Sequence, residues 1–183
     1  MKTYNEIKLA QELIRFPTVK TEDKGIMKFL SKKLTAIGFK CTVIKSKGTG
    51  IKPALNLYAR FGGSKPHINF LGHTDVVANL NNWKIPPFKA VVRKGYLNGR
   101  GSQDMKGGVA CWISAVSNFI KNKEFKGSIS IIITADEETT GYGCPAVMKY
   151  LRKKDEKIDF SLVGEPSSNK SIGDEIRIGR RGS

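Results

Sequence analysis

Apolar residues recur every three or four positions in four stretches of the chain, a spacing typical of helices that bury one face. The first stretch follows residues 3–6, which have the spacing of a capping box, and it ends at Pro17 because proline cannot continue a helix. The second ends just before Gly38, in the position where a glycine commonly follows a helix. Helices are therefore predicted over residues 7–16, 22–37, 105–121 and 145–154.

Short apolar or alternating runs between these stretches predict strands. Residues 54–61 alternate, so that one face is apolar and the other carries polar side chains. Residues 129–133 are β-branched apart from Ser130, which is typical of a strand covered on both faces, and residues 158–163 predict another largely buried strand. Further elements are predicted over 39–44, 68–71, a hairpin over 88–98 that turns at Lys94 and Gly95, and a last strand that begins at 175–178.

Strands that alternate with helices predict an α/β fold. We expect a mixed, mostly parallel sheet with helices on both faces. The length of 183 residues allows one such domain or slightly more. The sequence contains no internal repeat and no low-complexity segment.

The composition and charge make nucleic-acid-binding and membrane-spanning functions less favoured for this chain. The net charge of +16 favours anionic partners, but the lysines are scattered, and no basic stripe with interleaved aromatic residues is present. A solvated lysine-rich surface is the favoured interpretation, and a nucleic-acid-binding module is the weaker alternative. No apolar run approaches the roughly 20 residues of a membrane span and the first residues are polar, so we expect a cytoplasmic protein with no membrane partner. The three cysteines are widely spaced and suit a reducing compartment.

Four short acidic segments contain the candidate chemistry, and each lies where a strand ends or a helix begins. Ligand sites in open α/β sheets lie beyond the carboxyl ends of the strands, so all four segments can converge at one rim of the sheet. Each segment alone is more often a turn, a solvated loop or an incidental pair, whereas the ordered set indicates a site. His67 has no such neighbours and is interpreted as an exposed strand-edge residue. The segments are Gly72-His73-Thr74-Asp75, Gly101 to Gly108 with Asp104, Asp136-Glu137-Glu138 and Gly164-Glu165-Pro166.

The residue types in these segments suit a two-metal hydrolytic site. Zinc binds imidazole nitrogens such as those of His73, together with carboxylate oxygens. Asp75 is placed to accept the other imidazole N–H, and Asp104 could bridge two ions about 3.5–4 Å apart. Adjacent side chains point in different directions, so Glu138 can bind metal while Glu137 takes a proton from the attacking water and passes it to the leaving amine.

Four strings carry a specific resemblance: GHTDVV (72–77), GRGSQDMKGG (99–108), ITADEE (133–138) and VGEPSS (163–168). Together they resemble the di-zinc aminoacylase and carboxypeptidase family, whose members hydrolyse amide bonds of N-acyl amino acids and small peptides. The resemblance implies a zinc-exopeptidase-like catalytic domain with two Zn²⁺, for which Co²⁺ can substitute. It also implies a role for each site residue: His73, Asp104 as the bridge, Glu138 and Glu165 as metal ligands, Glu137 as the general base, and Asp75 as the carboxylate that orients His73.

One branch of that family is most similar. The segment from Trp83 to Phe88, VGEPSS (163–168) and the tail IGDEIRIGRRGS (172–183) resemble the desuccinylases that release succinate from N-succinyl-LL-2,6-diaminopimelate, on the route to lysine. A small N-acyl amino acid is the expected partner, and no nucleic acid is expected. Two alternatives stay open: another family member, such as an acetylornithine deacetylase or a dipeptidase, and an inactive half-chain of such an enzyme.

Family chains are much longer than this one, and the resemblance implies which parts are missing. Residues 1–178 correspond to the N-terminal part of the catalytic metal-binding domain, and residues 179–183 to the start of a connection to a dimerisation or lid domain. Family members form homodimers through that domain. The segment that returns from it carries a last histidine ligand of the second zinc, which this sequence lacks.

Overall fold

The computed structural model describes residues 2–48, 53–78 and 81–178, so the predicted connection at 179–183 lies outside the described residues. Helices and strands follow one another along the chain as the sequence pattern predicts. In chain order they are α1 (Glu6–Ile14), α2 (Ile26–Thr35), β1 (Lys40–Ser46), β2 (Ala54–Gly62), β3 (His67–His73), β4 (Val91–Arg93), β5 (Tyr96–Asn98), α3 (Lys106–Asn122), β6 (Ser128–Thr134), α4 (Gly143–Lys153) and β7 (Phe160–Val163).

Five of the strands form one sheet in the order β1-β2-β6-β3-β7. β2 is antiparallel to both of its neighbours, β1 and β6, whereas β3 is parallel to β6 and to β7. Four strands therefore run in one direction and β2 opposes them, which confirms the predicted mixed, mostly parallel sheet. β4 and β5 form a separate antiparallel hairpin, as predicted.

Helices cover both faces of the sheet. On one face α1, α2 and α3 bury a large apolar cluster that includes Leu13, Leu30, Ile113 and Ile131. On the other face α4 packs through Val147 and Leu151 on Ile44, Tyr58 and Ile132. Every residue of β6 is buried, because its successive side chains enter the two clusters in turn. The prediction of a central strand covered on both faces is confirmed.

The helix starts differ from the predictions because other polar groups cap them. Asn5 is the N-cap of α1, and its side chain accepts a hydrogen bond from the N–H of Lys8 at 3.0 Å, so the capping box predicted at 3–6 is wrong. α2 begins at Ile26 and not at residue 22, since the Asp23 carboxylate accepts the N–H groups of Gly25 and Met27 just before and within its first turn.

The prediction of a buried strand at 158–163 is wrong in its burial. All four residues of β7 are exposed, because the strand pairs only with β3 and forms an edge of the described sheet. The strand predicted from 175 to 178 is also wrong, since the described residues offer it no strand to pair with, and Ile176 is 82% exposed.

His67 is fully buried, so the prediction of an exposed edge residue is wrong. β3 starts one residue earlier than expected, and this extension places the imidazole beside β6. Its Nδ1 lies 2.8 Å from the carbonyl oxygen of Lys157 and 3.4 Å from Glu156 Oε1, and its Nε2 lies 2.8 Å from Ser130 Oγ. Arg60 donates to the same Glu156 carboxylate at 3.1 Å, which completes a buried polar cluster at the end of the sheet where β3 begins.

Candidate metal centre

Three parallel strands deliver the acidic segments to one edge of the sheet. β3, β6 and β7 end at His73, Thr134 and Val163, and the carboxyl ends of parallel strands meet at the same edge. Main-chain pairing continues past these ends, with the N–H of Thr74 bound to the carbonyl of Thr134 at 3.0 Å and the N–H of Gly164 bound to the carbonyl of Leu71 at 3.1 Å. The residues that follow the strands are therefore held beside one another.

The structure gathers the candidate ligands around Nε2 of His73. Asp104 Oδ1 lies 2.9 Å from this nitrogen, Glu165 Oε1 lies 3.6 Å from it, and Glu137 Oε2 lies 4.0 Å from it. The ligand atoms of His73, Asp104 and Glu138 all lie within 4.8 Å of one another, and so do those of His73, Glu137 and Glu165. All five predicted side chains thus come together, although their individual roles stay predictions.

Asp75 lies behind the imidazole, on the side away from these carboxylates. Nδ1 of His73 lies 3.1 Å from the main-chain oxygen of Asp75 and 3.4 Å from its carboxylate Oδ1. The same carboxylate accepts the N–H groups of Glu137 and Glu138, at 3.2 and 2.9 Å. Asp75 therefore contacts both the ring and the acidic loop; the sequence predicted the first contact but gave no sign of the second.

The crowded charges shift several pKa values. Burial by itself lowers the pKa of His73, but the hydrogen bond and charge of Asp75, together with the charges of Glu165 and Asp104, outweigh it and raise the pKa to about 9. Burial raises the pKa of Glu138 and of Glu165, and neighbouring carboxylates raise both further. A divalent cation among these groups would compensate the repulsion between the carboxylates.

The donor set fits zinc or a similar transition-metal ion. One imidazole nitrogen and several carboxylate oxygens converge within ligand distance of one another, and zinc takes this mixture of nitrogen and oxygen donors. The second ring nitrogen is held by an outer carboxylate, which is the usual arrangement for a metal-binding histidine. Magnesium and calcium prefer oxygen donors alone, so the histidine favours a transition-metal ion.

Two buried polar residues near the site have contacts that were not predicted. Asp136 is fully buried and accepts the N–H of Gly143 at 2.9 Å, so it anchors the acidic loop to the start of α4 instead of facing the other carboxylates. Lys106 is also fully buried, and its Nζ donates to the carbonyl of Phe16 at 2.7 Å. Burial lowers the pKa of Lys106 to about 7, against the opposing effect of Asp75. A single lysine gives no signal in a lysine-rich sequence.

A cavity of about 470 Å³ opens beside the cluster. Asp104 and Glu138 form part of its wall, and Trp83 and Arg100 form another part. The Arg100 guanidinium carbon lies 5.0 Å from the centre of the Trp83 ring, within the range of a cation–π interaction. A small molecule in this cavity would contact the metal-site carboxylates directly.

Comparison with known protein families identifies the domain. The family model described as Peptidase family M20/M25/M40 matches residues 70–179, which is more than half of the chain and includes the whole cluster from His73 to Glu165. The chain belongs to this family. By family it is a hydrolase of the peptidase and amidohydrolase type, as the resemblance implied.

Curated relatives of this M20 chain carry a common name. A protein from Pelagibacter ubique named succinyl-diaminopimelate desuccinylase is 52% identical over 187 residues, which cover 100% of this chain and 49% of that protein. A protein of the same name from Ehrlichia canis is 46% identical over 181 residues, covering 97% of this chain and 47% of that protein. The chain therefore spans about half the length of the curated relatives it matches.

Solved structures support the fold of the M20 chain. Human carnosine dipeptidase 1 superimposes with a TM-score of 0.76 at 21% sequence identity, over 86% of this chain and 37% of that one. The dipeptidase Dug1p from Saccharomyces cerevisiae gives a TM-score of 0.75 at 23% identity, with the same coverage. At such identities the likeness concerns the fold alone, and it confirms the expected α/β catalytic-domain architecture.

Proposed function

We propose that this chain supplies most of the catalytic centre of a zinc-dependent amide hydrolase of the succinyl-diaminopimelate desuccinylase type. The reaction would release succinate from N-succinyl-LL-2,6-diaminopimelate, in lysine and diaminopimelate biosynthesis in the cytoplasm. The observation that carries the proposal is the convergence of three carboxylates on Nε2 of His73, with Asp75 behind the ring. The names of relatives that are 52% and 46% identical support the choice of substrate.

In this proposal His73, Asp104, Glu138 and Glu165 would hold the metal, and Asp104 would be the ligand shared by the two ions. Zinc, or cobalt in its place, would polarise the amide carbonyl and lower the pKa of water at the site. The main-chain and carboxylate oxygens of Asp75 keep the imidazole proton on Nδ1, which leaves the Nε2 lone pair for the metal. The carboxylates of Asp104, Glu138 and Glu165 would supply the oxygen ligands beside the cavity.

Glu137 is assigned the proton transfers. Its side chain is 54% exposed, so Oε2 can reach a water molecule in the open side of the cluster. Oε2 takes a proton from this water as its oxygen attacks the amide carbon, and then gives the proton to the nitrogen as the C–N bond breaks. The C–N cleavage gives the free amine and a new carboxylic acid group, and the second proton of the water leaves that carboxyl group for the amine or for solvent, so the products are succinate and an ammonium group.

In this proposal the second half of a desuccinylase would complete the catalytic centre. Residues 1–178 would be the N-terminal part of the catalytic domain, and a partner segment would supply the last histidine ligand of the second ion and the homodimer contact. No described helix has both the length and the apolar character needed to cross a bilayer. The substrate expected in the cavity is a small N-acyl amino acid.

Metal binding and hydrolysis test the proposal separately. Zinc and cobalt titrations of the 183-residue chain should show at least one tight site, which the H73A variant loses. A chimera that joins the chain to the second half of the Pelagibacter relative should release succinate from N-succinyl-diaminopimelate, faster than it hydrolyses N-acetylornithine or a dipeptide. A chain that binds neither metal, or a folded chimera that releases no succinate, would refute the proposal.

A further inference from the structure

Lys106 is an unusual residue for its position. Among the described residues it is the only lysine that is fully buried, although the sequence contains 32 lysines and arginines in all. Burying an ammonium group is costly unless nearby groups compensate its charge, and most lysines stay at the surface. Lys106 is the first residue of α3 and lies two residues after Asp104, so this buried amine is close in sequence to the candidate metal ligands.

We propose that Lys106 is a positioning residue for the catalytic centre: its buried ammonium holds the segment 16–20 against Thr74–Val76, and thereby fixes Asp75. The inference rests on the proposed function, because Asp75 matters only if the cluster binds metal. Lys106 itself touches none of the reacting atoms, so it acts through Asp75.

The contacts of the segment 16–20 show how this would work. Nζ of Lys106 binds the carbonyl of Phe16 at 2.7 Å, at the start of the segment. Thr18 then exchanges hydrogen bonds with the stretch that contains Asp75: its hydroxyl donates to the carbonyl of Thr74, and its carbonyl accepts the N–H of Val76 at 3.0 Å. The N–H of Lys20 binds the carbonyl of Val76 at 3.2 Å, so Asp75 lies within a short parallel pairing.

The other side of the same stretch is fixed by the sheet. The N–H of Thr74 binds the carbonyl of Thr134 at the end of β6. Asp75 is therefore held between β6 on one side and the segment 16–20 on the other. Lys106 contributes to the second support, through its bond to the carbonyl of Phe16.

Charge links Lys106 to Asp75 as well. The Asp75 carboxylate is 1% exposed and is close enough to Lys106 to oppose the effect of burial on the ammonium. The lysine stem lies under the turn at Gly101, where an added Cβ would come within 3.2 Å of Lys106 Cδ. This packing limits movement of Nζ away from the carbonyl of Phe16.

Substitution of Lys106 by methionine, K106M, tests the inference in the full 183-residue chain. Methionine keeps most of the stem but removes the charge and the donor. The matched control is K121M, in the exposed last turn of the same helix. In the metal-free chain, hydrogen exchange at the amides of Glu137 and Glu138, which donate to Asp75, should accelerate by about two- to tenfold, the value of one typical hydrogen bond.

Zinc affinity gives the second measurement. K106M should weaken zinc binding by up to about tenfold in a chelator competition, less than the roughly 10- to 100-fold typical of losing the direct partner of a metal ligand, which is Asp75 here. In a D75N background the same substitution should change the affinity by less than about twofold, because its effect passes through Asp75. If Lys106 had only a general structural role, K106M would reduce the zinc affinity by the same factor in the wild-type and D75N backgrounds.

Unchanged exchange at both amides in K106M would overturn the inference, as would equal losses of zinc affinity with and without Asp75. If K106M does not fold, K106Q provides the same two measurements with a donor that is shorter and uncharged. A wild-type chain that binds no zinc would refute the proposed function, while the exchange rates would still decide whether Lys106 fixes Asp75.

Discussion

Zinc binding at the cluster should release a proton, and the structure gives the size of the effect. The pKa of His73 is about 9 in the metal-free chain, so the imidazole is protonated at neutral pH. A metal ion needs the lone pair of Nε2, and the proton must leave first. The second proton, on Nδ1, can stay with Asp75.

The free energy needed to remove the His73 proton follows from the difference between the pKa and the pH. At pH 7, two units below the pKa of about 9, removal of the proton costs about 2.7 kcal/mol. The apparent zinc affinity at pH 7 should therefore be about 100-fold lower than its value above pH 9, and should rise about tenfold per pH unit between them. Glu138 and Glu165, whose pKa values are also raised, add further proton release at acid pH.

Calorimetric titration of zinc in two buffers with different ionisation enthalpies would count the protons. About one proton per first zinc ion is expected at pH 7. In D75N the count should fall, since the interaction with Asp75 is the largest contribution that raises the pKa of His73. The surface variant D155N, whose side chain is 88% exposed, should behave as the wild type. Zinc binding without proton release, and with an affinity independent of pH from 6 to 8, would show that the imidazole is neutral and the reasoning wrong.

Three further predictions concern single residues. The E137Q variant of the chimera should lose succinate release while its zinc affinity stays near that of the wild type, and a variant that keeps a large fraction of the rate would exclude Glu137 as the base. The pKa of His73 is raised above its ordinary 6.5, so the protonated imidazole should stabilise the metal-free chain fully below pH 6.5. This stabilisation should be lost as the pH rises through about 9, and urea unfolding at several pH values would measure the loss. H67L should destabilise the chain by about 3 kcal/mol in urea unfolding, since it leaves Glu156 and Ser130 without their buried partner, whereas an effect below about 0.5 kcal/mol would show that the cluster is not coupled to folding.

Local patterns were sufficient to predict the architecture and the members of the site. The run at 129–133, β-branched apart from Ser130, predicted a central strand, because a strand covered by helices on both faces is apolar at nearly every position. Most site residues could be placed because they follow strand ends, and parallel strand ends share an edge, while Asp104 lies just before α3.

Apart from the starts of α1 and α2, which local capping groups set, the errors concern interactions between distant parts of the chain. Residues 160–163 have the composition of a buried strand, but burial depends on a neighbour that the local sequence does not contain. His67 is buried by Ser130 and Lys157, more than 60 positions away along the chain. The two roles of Asp75 and the burial of Lys106 likewise depend on residues brought together only by the fold.

The open edge of the sheet has a consequence for how the chain behaves in solution. β7 exposes Phe160, Leu162 and Val163, and no described strand pairs with the main-chain groups on its outer side. The exposed edges of two molecules can therefore pair with each other. The charge of +16 opposes such an encounter through mutual repulsion. Salt shortens the range of that repulsion from about 30 Å at 0.01 M to about 3 Å at 1 M but leaves the apolar edge unchanged. Light scattering should therefore report single molecules in dilute buffer and growing clusters as the ionic strength increases.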